Sequence, residues 1–294
     1  MNRLLLPLLL LLSLCTCVRA QTFSGGFRAG LNFNSLDGPA EMSADGSQAY
    51  EQYQRTTGFH VGATFALGFT DLFGLKADLM YSQKGGDFEY NEVPSYFYLY
   101  DGPDDRTGDI VFGTLNGDAD VVNSYIDIPV TAYYKFGKFE IEGGASASFL
   151  VGSRQSGGLT YSNTTPNYNG ADVTFNIEGN FLSDDPGGAG VIEVAQTELP
   201  GTPIFPPSVI SAYYNSDNDR NLYRRLDFTL VAGLSYYLNN GLYVGARYQY
   251  GLTDVTRGEN DLRIANEERS AERRFNEGDK DYTRSIQASV GFRF

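Results

Sequence analysis

Eight separate stretches of the 294-residue chain alternate apolar and polar residues with a period of two, and several carry ionised side chains on the polar face. Successive side chains along a strand point to opposite faces, so each stretch reads as a strand with one greasy and one hydrophilic face. In 23–33, Phe23, Phe27, Ala29, Leu31 and Phe33 share one face, while Ser24, Gly26, Arg28, Gly30 and Asn32 share the other. The pattern returns at 57–69, 73–84, 123–136, 139–152, 223–238, 241–253 and 281–294. Each stretch is at least as long as the roughly 9–11 residues that a tilted strand needs to cross a bilayer.

Two architectures alternate in this way. A soluble sandwich would bury Arg28, Lys76, Asp78, Glu140, Glu142 and Arg247 between its sheets, at high cost. A closed barrel places the same residues in a polar lumen and turns the apolar face to lipid. The connections favour the barrel. Thr70–Leu72, Gly137-Lys138 and Asn239-Asn240 are tight turns, and long polar segments at 34–56, 85–122, 153–222 and 254–280 lie between them. The expected fold is therefore all-β: a closed antiparallel up-and-down transmembrane β-barrel of eight strands with long extracellular loops. The composition agrees, with Gly 34, Tyr 21 and Phe 20 against Met 3 and Trp 0. Residues 171–182 and 190–198 offer a ninth and a tenth strand. The second alternates poorly, however, and the pair is expected as a hairpin above the membrane.

Residues 1–20 read as a signal peptide. Arg3 precedes an apolar run from Leu4 to Leu14, and Val18-Arg19-Ala20 suits cleavage before Gln21, leaving 21–294 as the barrel domain. Cys15 and Cys17 follow Leu14 and Thr16 instead of the small residues that lipid modification favours. Cleavage removes both cysteines, and disulfide or thiol chemistry with them. It also leaves 20 basic against 36 acidic residues, a net charge of −16 that disfavours nucleic acid as a partner.

Four pieces of the barrel resemble a known family. They are Gly26-Phe27-Arg28-Ala29-Gly30-Leu31-Asn32-Phe33, then Ala77-Asp78-Leu79-Met80-Tyr81-Ser82-Gln83-Lys84-Gly85, which is similar to an "ELxYSQKG" strand end. Tyr125-Ile126-Asp127-Ile128-Pro129-Val130 is similar to "YLEIP", and Arg247-Tyr248-Gln249-Tyr250-Gly251-Leu252-Thr253 to "RYNYGLT". In this order they resemble the PorT-like outer-membrane β-barrel proteins of Bacteroidetes-type bacteria. The resemblance implies a bacterial outer-membrane location. One branch of that family takes part in export through the type IX secretion system. Asp78 and Asp127 stand where Glu is commoner, which shortens the carboxylate arm and keeps its charge.

The chemistry is concentrated in the lumen. Arg28, Lys76, Arg247 and Arg293 are expected to face inwards with Asp78, Asp127, Glu140, Glu142 and Asp227. An eight-stranded lumen is about wide enough for side chains to fill it. Opposite charges there should pair into a plug that fixes register, the alternative being a narrow conducting path. His60, the one histidine, is expected to face the lumen near the outer rim; with no nucleophile motif beside it, it reads as a hydrogen-bonded lumen residue. The loops are acidic, with nine acids against Arg106 in 85–122. Asp217-Asn218-Asp219-Arg220-Asn221 begins like a calcium loop, but Leu222 replaces the glycine and Phe228 the closing acid. Phe33, Phe69, Tyr81, Phe136, Phe139 and Phe294 fit an aromatic girdle, and Gly291, Phe292 and Phe294 a terminal membrane-insertion signal.

The expected function is non-enzymatic and without cofactor: a structural or interaction role at the cell surface, accessory to secretion or surface assembly. A narrow pore for ions or small solutes is the alternative, and a lipid-modifying enzyme built on His60 a third. Expected partners are outer-membrane lipid, the barrel-insertion machinery during biogenesis, and secretion-system or surface proteins.

Overall fold

A strand that is apolar on one face and ionised on the other satisfies both faces in a membrane only if the sheet closes. In a computed structural model, residues 22–100, 109–165, 172–184, 193–195, 209–210, 220–261, 264–265 and 278–294 are described. The strands among them are β1 (Thr22–Asp37), β2 (Glu51–Gln54), β3 (Thr56–Gly68), β4 (Phe73–Tyr100), β5 (Asp109–Phe136), β6 (Phe139–Thr165), β7 (Val173–Asn180), β8 (Glu193–Ala195), β9 (Val209–Ile210), β10 (Leu226–Tyr237), β11 (Leu242–Gly251) and β12 (Tyr282–Arg293). Eight of these pair in an antiparallel ring, β1-β3-β4-β5-β6-β10-β11-β12, and β12 returns to β1. The expected signal peptide lies outside the described residues.

One end of the ring holds the tight turns, the start of β1 and the last residue of the chain. Thr70 Oγ1 accepts from the N–H of Leu72 and Phe73 at 3.3 and 3.0 Å. Gly137 turns with φ 62°, a conformation open to glycine at low cost. Asn239 Oδ1 accepts from Gly241 and Leu242 at 3.0 and 2.7 Å. The Phe294 N–H donates to Gly25 O at 2.9 Å, tying the last residue to the first strand.

The outer face is lipophilic, with Phe27, Leu79, Val130, Leu230 and Val290 each half exposed or more. Rings gather at the turn end, where Phe136 stacks on Phe139 with centroids 5.6 Å apart and Phe69 lies 5.7 Å from Phe73. At the other boundary Phe59 meets Tyr81 at 5.6 Å, and Phe33 is exposed.

The loop expectation fails on one side of the barrel. Residues 85–100 and 109–122 continue β4 and β5, 153–165 continue β6, and 34–37 continue β1. At 27 or 28 residues, β4, β5 and β6 far exceed a bilayer span, and their outer halves form a tower. Its interior is apolar: Tyr50, Val93, Phe97, Val111, Leu115, Leu159, Tyr161, Phe175 and Ile177 form one buried cluster. The polarity of the inner face thus reverses where the strands leave the membrane. Bulges between Tyr90 and Val93 and between Ser124 and Tyr125 shift the register there, which breaks the simple period of two. A soluble sheet buries its apolar side and a membrane barrel exposes it, so one strand passing between the two environments must reverse.

Nor do the expected ninth and tenth strands form a hairpin. Strand β7 lies along Arg154–Tyr161 of β6, well above the spanning part, and β8 lies parallel to Tyr98–Tyr100 of β4. The ring has eight strands.

Candidate functional site

Each inward charge is set by the parity of its strand, and the nine expected lumen residues are all buried within the ring. Lys84, which continues the even-numbered inner face of β4, adds a fifth cation. The lumen set is then five cations against five carboxylates.

Most of these meet in one cluster. Arg247 donates from Nε and Nη2 to the two oxygens of Glu142 at 2.5 and 3.0 Å, and from Nη1 to Asp78 Oδ2 at 2.6 Å. Arg28 lies 3.6 Å from Asp78 and 3.7 Å from Glu142, and its Nε donates to Tyr243 Oη at 3.1 Å. Lys76 donates to Glu140 at 2.7 Å and also contacts Glu142. Arg293 donates to Glu140 Oε2 at 2.9 Å, where the Tyr237 hydroxyl also donates at 3.2 Å. Four cations here face three carboxylates. Gly291 makes room for this packing, since a Cβ would meet the Tyr243 ring at 2.3 Å. Phe292 and Phe294, the other residues of the expected insertion signal, face outwards and are exposed.

A second cluster lies nearer the tower. Lys84 is 3.2 Å from Asp127, donates to Ser148 at 2.9 Å and sits 5.0 Å over the Tyr125 ring. Asp227 is fully buried close by. Tyr125 itself packs with Val121, Leu150, Phe181 and Tyr223 in a second buried apolar cluster. That cluster lies on the tower side of these charges.

His60 is held on both sides. Its Nδ1 pairs with Asn32 Oδ1 at 2.7 Å and its Nε2 with Ser289 Oγ at 2.9 Å. A Cβ on Gly30 would meet the imidazole at 2.8 Å, so the ring lies against bare backbone. The residue types are those of a hydrolase triad. Yet His60 is 1% exposed and Asn32 not at all, which leaves no surface for a substrate.

Outside the membrane, carboxylates crowd at the junction of the first and last connections. One oxygen each of Asp261, Asp279 and Asp281 lies within 4.8 Å of the others. Glu41 accepts from the N–H of Ile264 and Ala265 at 3.0 Å each, and the Glu41 N–H donates to Glu51 at 3.4 Å. Burial, and then the charges of Glu41, Asp281 and Asp279, pushes Glu51 up to about 8. Burial with Asp281 and Glu51 does the same to Asp261, also to about 8. Asp281 rises to about 6 through burial, with the Thr256 hydroxyl opposing. Asp279 and Asp281 are two residues apart, whereas Glu41, Glu51 and Asp261 come from separate segments. The calcium-like Asp217 and Asp219 lie outside the described residues.

Comparison with known proteins agrees with this architecture. No curated protein matches the sequence. Among solved structures, the attachment invasion locus protein Ail of Yersinia pestis is 9% identical, with 92% of this chain and 99% of that one covered and a TM-score of 0.35. OprG of Pseudomonas aeruginosa is 11% identical, with 94% and 97% covered and a TM-score of 0.36. The family model described as outer membrane protein beta-barrel domain matches residues 19–257. With that match and its eight-stranded ring, the chain belongs to the outer membrane protein beta-barrel domain family and is a protein of the bacterial outer membrane.

Proposed function

We propose that the protein is a non-enzymatic surface anchor, a barrel closed to solutes that holds a rigid β tower outside the cell. The observation that carries this reading is the filled lumen. Nine of its ten charged side chains stand in ion pairs, and an apolar layer around Tyr125 lies above them. A conducting path needs continuous water, which buried pairs of this kind exclude. The tower supports an interaction role, because its own apolar core makes it a firm platform and not a set of solvated loops. Similarity to the PorT-like sequences supports a place as an accessory to secretion or surface assembly, with envelope proteins as partners. Planar-bilayer recording of the purified protein tests the reading. The expected trace is a flat baseline across applied voltage, and stable unitary currents would overturn it in favour of a narrow pore.

A further inference from the structure

We propose that the outer seam between β6 and β10 binds the phosphorylated headgroup of an outer-leaflet glycolipid, through Arg154 and Arg225. Phe149 of β6 stands opposite Leu226 of β10. With Val151 and Phe228 they make an apolar patch whose members are each about half exposed. The two arginines border this patch on its tower side. Arg225 immediately precedes Leu226, and its carbonyl accepts from the Leu150 N–H at 2.8 Å. Arg154 is turned outwards by the bulge against Ser124 and Tyr125, where Val151 is the extra residue. Leu150 and Ser153 are the buried positions on either side of that bulge, so Arg154 falls on the exposed face.

Both guanidinium groups are exposed and unpaired. Among the described residues, neither Arg154 nor Arg225 donates a side-chain hydrogen bond or stands in an ion pair. Arg224 beside them differs, because its guanidinium binds Asp254 at 3.3 Å and the Thr256 carbonyl at 3.0 Å. The nearest carboxylates in register are on and after β7. Glu178 stands opposite Ser156. Asp184 accepts from the N–H of Asn180, the residue opposite Arg154, at 2.9 Å and so is turned into its own loop.

The chemistry of the surface selects a phosphorylated lipid. An apolar patch bordered by unpaired arginines fits an amphiphile with acyl chains below an anionic headgroup. The arginine fork matches phosphate oxygens in pairs, and phosphate is the anion that the glycolipid of a bacterial outer leaflet carries. Four residues of strand, roughly 13 Å, separate Leu150 beside Arg225 from Arg154. The pair therefore suits an extended headgroup and not one small ion. The placement of arginine around the barrel agrees. Exposed Arg55, Arg154, Arg224 and Arg225 all lie on the tower side, whereas the turn end carries the exposed base Lys138 and, among the described residues, no exposed arginine.

The inference rests on the tower-outward orientation of the anchor reading, and the two fail separately: proteolysis of intact cells reads the orientation, lipid affinity in detergent reads this site. The test titrates full-length mature protein, folded in detergent, with lipid A and follows bound lipid by native mass spectrometry and by Tm. One retained lipid and a saturable rise in Tm are expected. The same lipid stripped of its phosphates, phosphatidylglycerol and inorganic phosphate should each bind several-fold more weakly. Arg154→Ala and Arg225→Ala should each raise the apparent Kd about fivefold, the worth of one arginine at an anionic lipid surface. Neither should lower the Tm of the lipid-free protein, since both side chains are exposed and unpaired. Lys138→Ala, at the turn end, should leave the affinity unchanged. Equal binding of phosphorylated and dephosphorylated lipid A overturns the proposal. So does binding of phosphatidylglycerol or inorganic phosphate as tight as that of lipid A, or an undiminished affinity when both arginines are replaced.

Discussion

Arg247 of β11 grips Glu142 of β6 through two parallel hydrogen bonds, at 2.5 and 3.0 Å, across the lumen. The two residues are 105 positions apart in sequence and are not on neighbouring strands of the ring. Such a fork fixes direction as well as distance. It sets β6 against β11 in a way that ladder hydrogen bonds do not. Glu142→Gln keeps the shape and removes the charge, leaving Arg28, Lys76 and Arg247 with two carboxylates. Breaking a buried pair from one side costs about 3–5 kcal/mol. Equilibrium unfolding in detergent should show a loss of that order, and a loss under about 1 kcal/mol would mean that the lumen is hydrated enough to screen its charges.

His60→Ala tests whether the imidazole is structural. Removing it leaves the Asn32 and Ser289 side chains without their partner, at about 1–3 kcal/mol for each buried group left unsatisfied. The variant should melt lower while the lipid A and phospholipid profiles of the outer membrane stay unchanged. Altered lipid profiles with unchanged stability would revive the enzyme reading.

Leu159→Ala separates tower from barrel. Leu159 is 0% exposed inside the tower cluster, where truncation costs about 2–5 kcal/mol. Limited proteolysis of intact cells should cut this variant faster in the tower, while the barrel still migrates as a folded species before heating. Equal rates for variant and wild type would contradict an independent tower core.

The junction of the first and last connections should loosen as pH rises. In the unfolded chain Glu51, Asp261 and Asp281 titrate near 4, whereas in the folded junction they titrate at about 8, 8 and 6. The folded state therefore holds more protons between about pH 4 and 8, so its stability falls as pH rises through that window. The penalty is absent below it and complete above it. Glu41, Tyr53, Asp254 and Asp279 surround these acids, and Arg224 is a nearby base, bound to Asp254 at 3.3 Å. Hydrogen exchange at the Ile264 and Ala265 amides reads the effect directly. Corrected for intrinsic rates, protection should be weaker near pH 9 than near pH 5, and equal protection would contradict the assignment.

The spanning strands were legible because the membrane enforces one rule along each of them. Parity placed Arg28, Asp78, Glu142 and Arg247 on a common inner face without knowledge of their partners. Lys84 obeys the same parity, but Gly85-Gly86 follows it and resembles the start of a loop. The tower was hidden for a physical reason. Beyond Lys84 the inner face turns apolar, and bulges near Glu92 and Ser124 shift the alternation. Dense acids such as Asp87, Glu89, Asp118 and Asp120 then resemble solvated loop, although Asp87 stands opposite Asp120 in a continuous ladder. The Glu51–Asp261–Asp281 group comes from distant segments and left no local signature.

Site-directed fluorescence quenching tests the geometry most directly. Single cysteines at Leu31, Leu79, Val130 and Leu230 on the outer face, and at Asn32, Thr131 and Thr229 on the inner face, would be labelled and the protein placed in brominated-lipid bilayers. Strong quenching at the first four positions and little at the last three is the predicted result. Comparable quenching on both faces, or none on the outer one, would contradict a barrel that turns its apolar residues to lipid and encloses its charges.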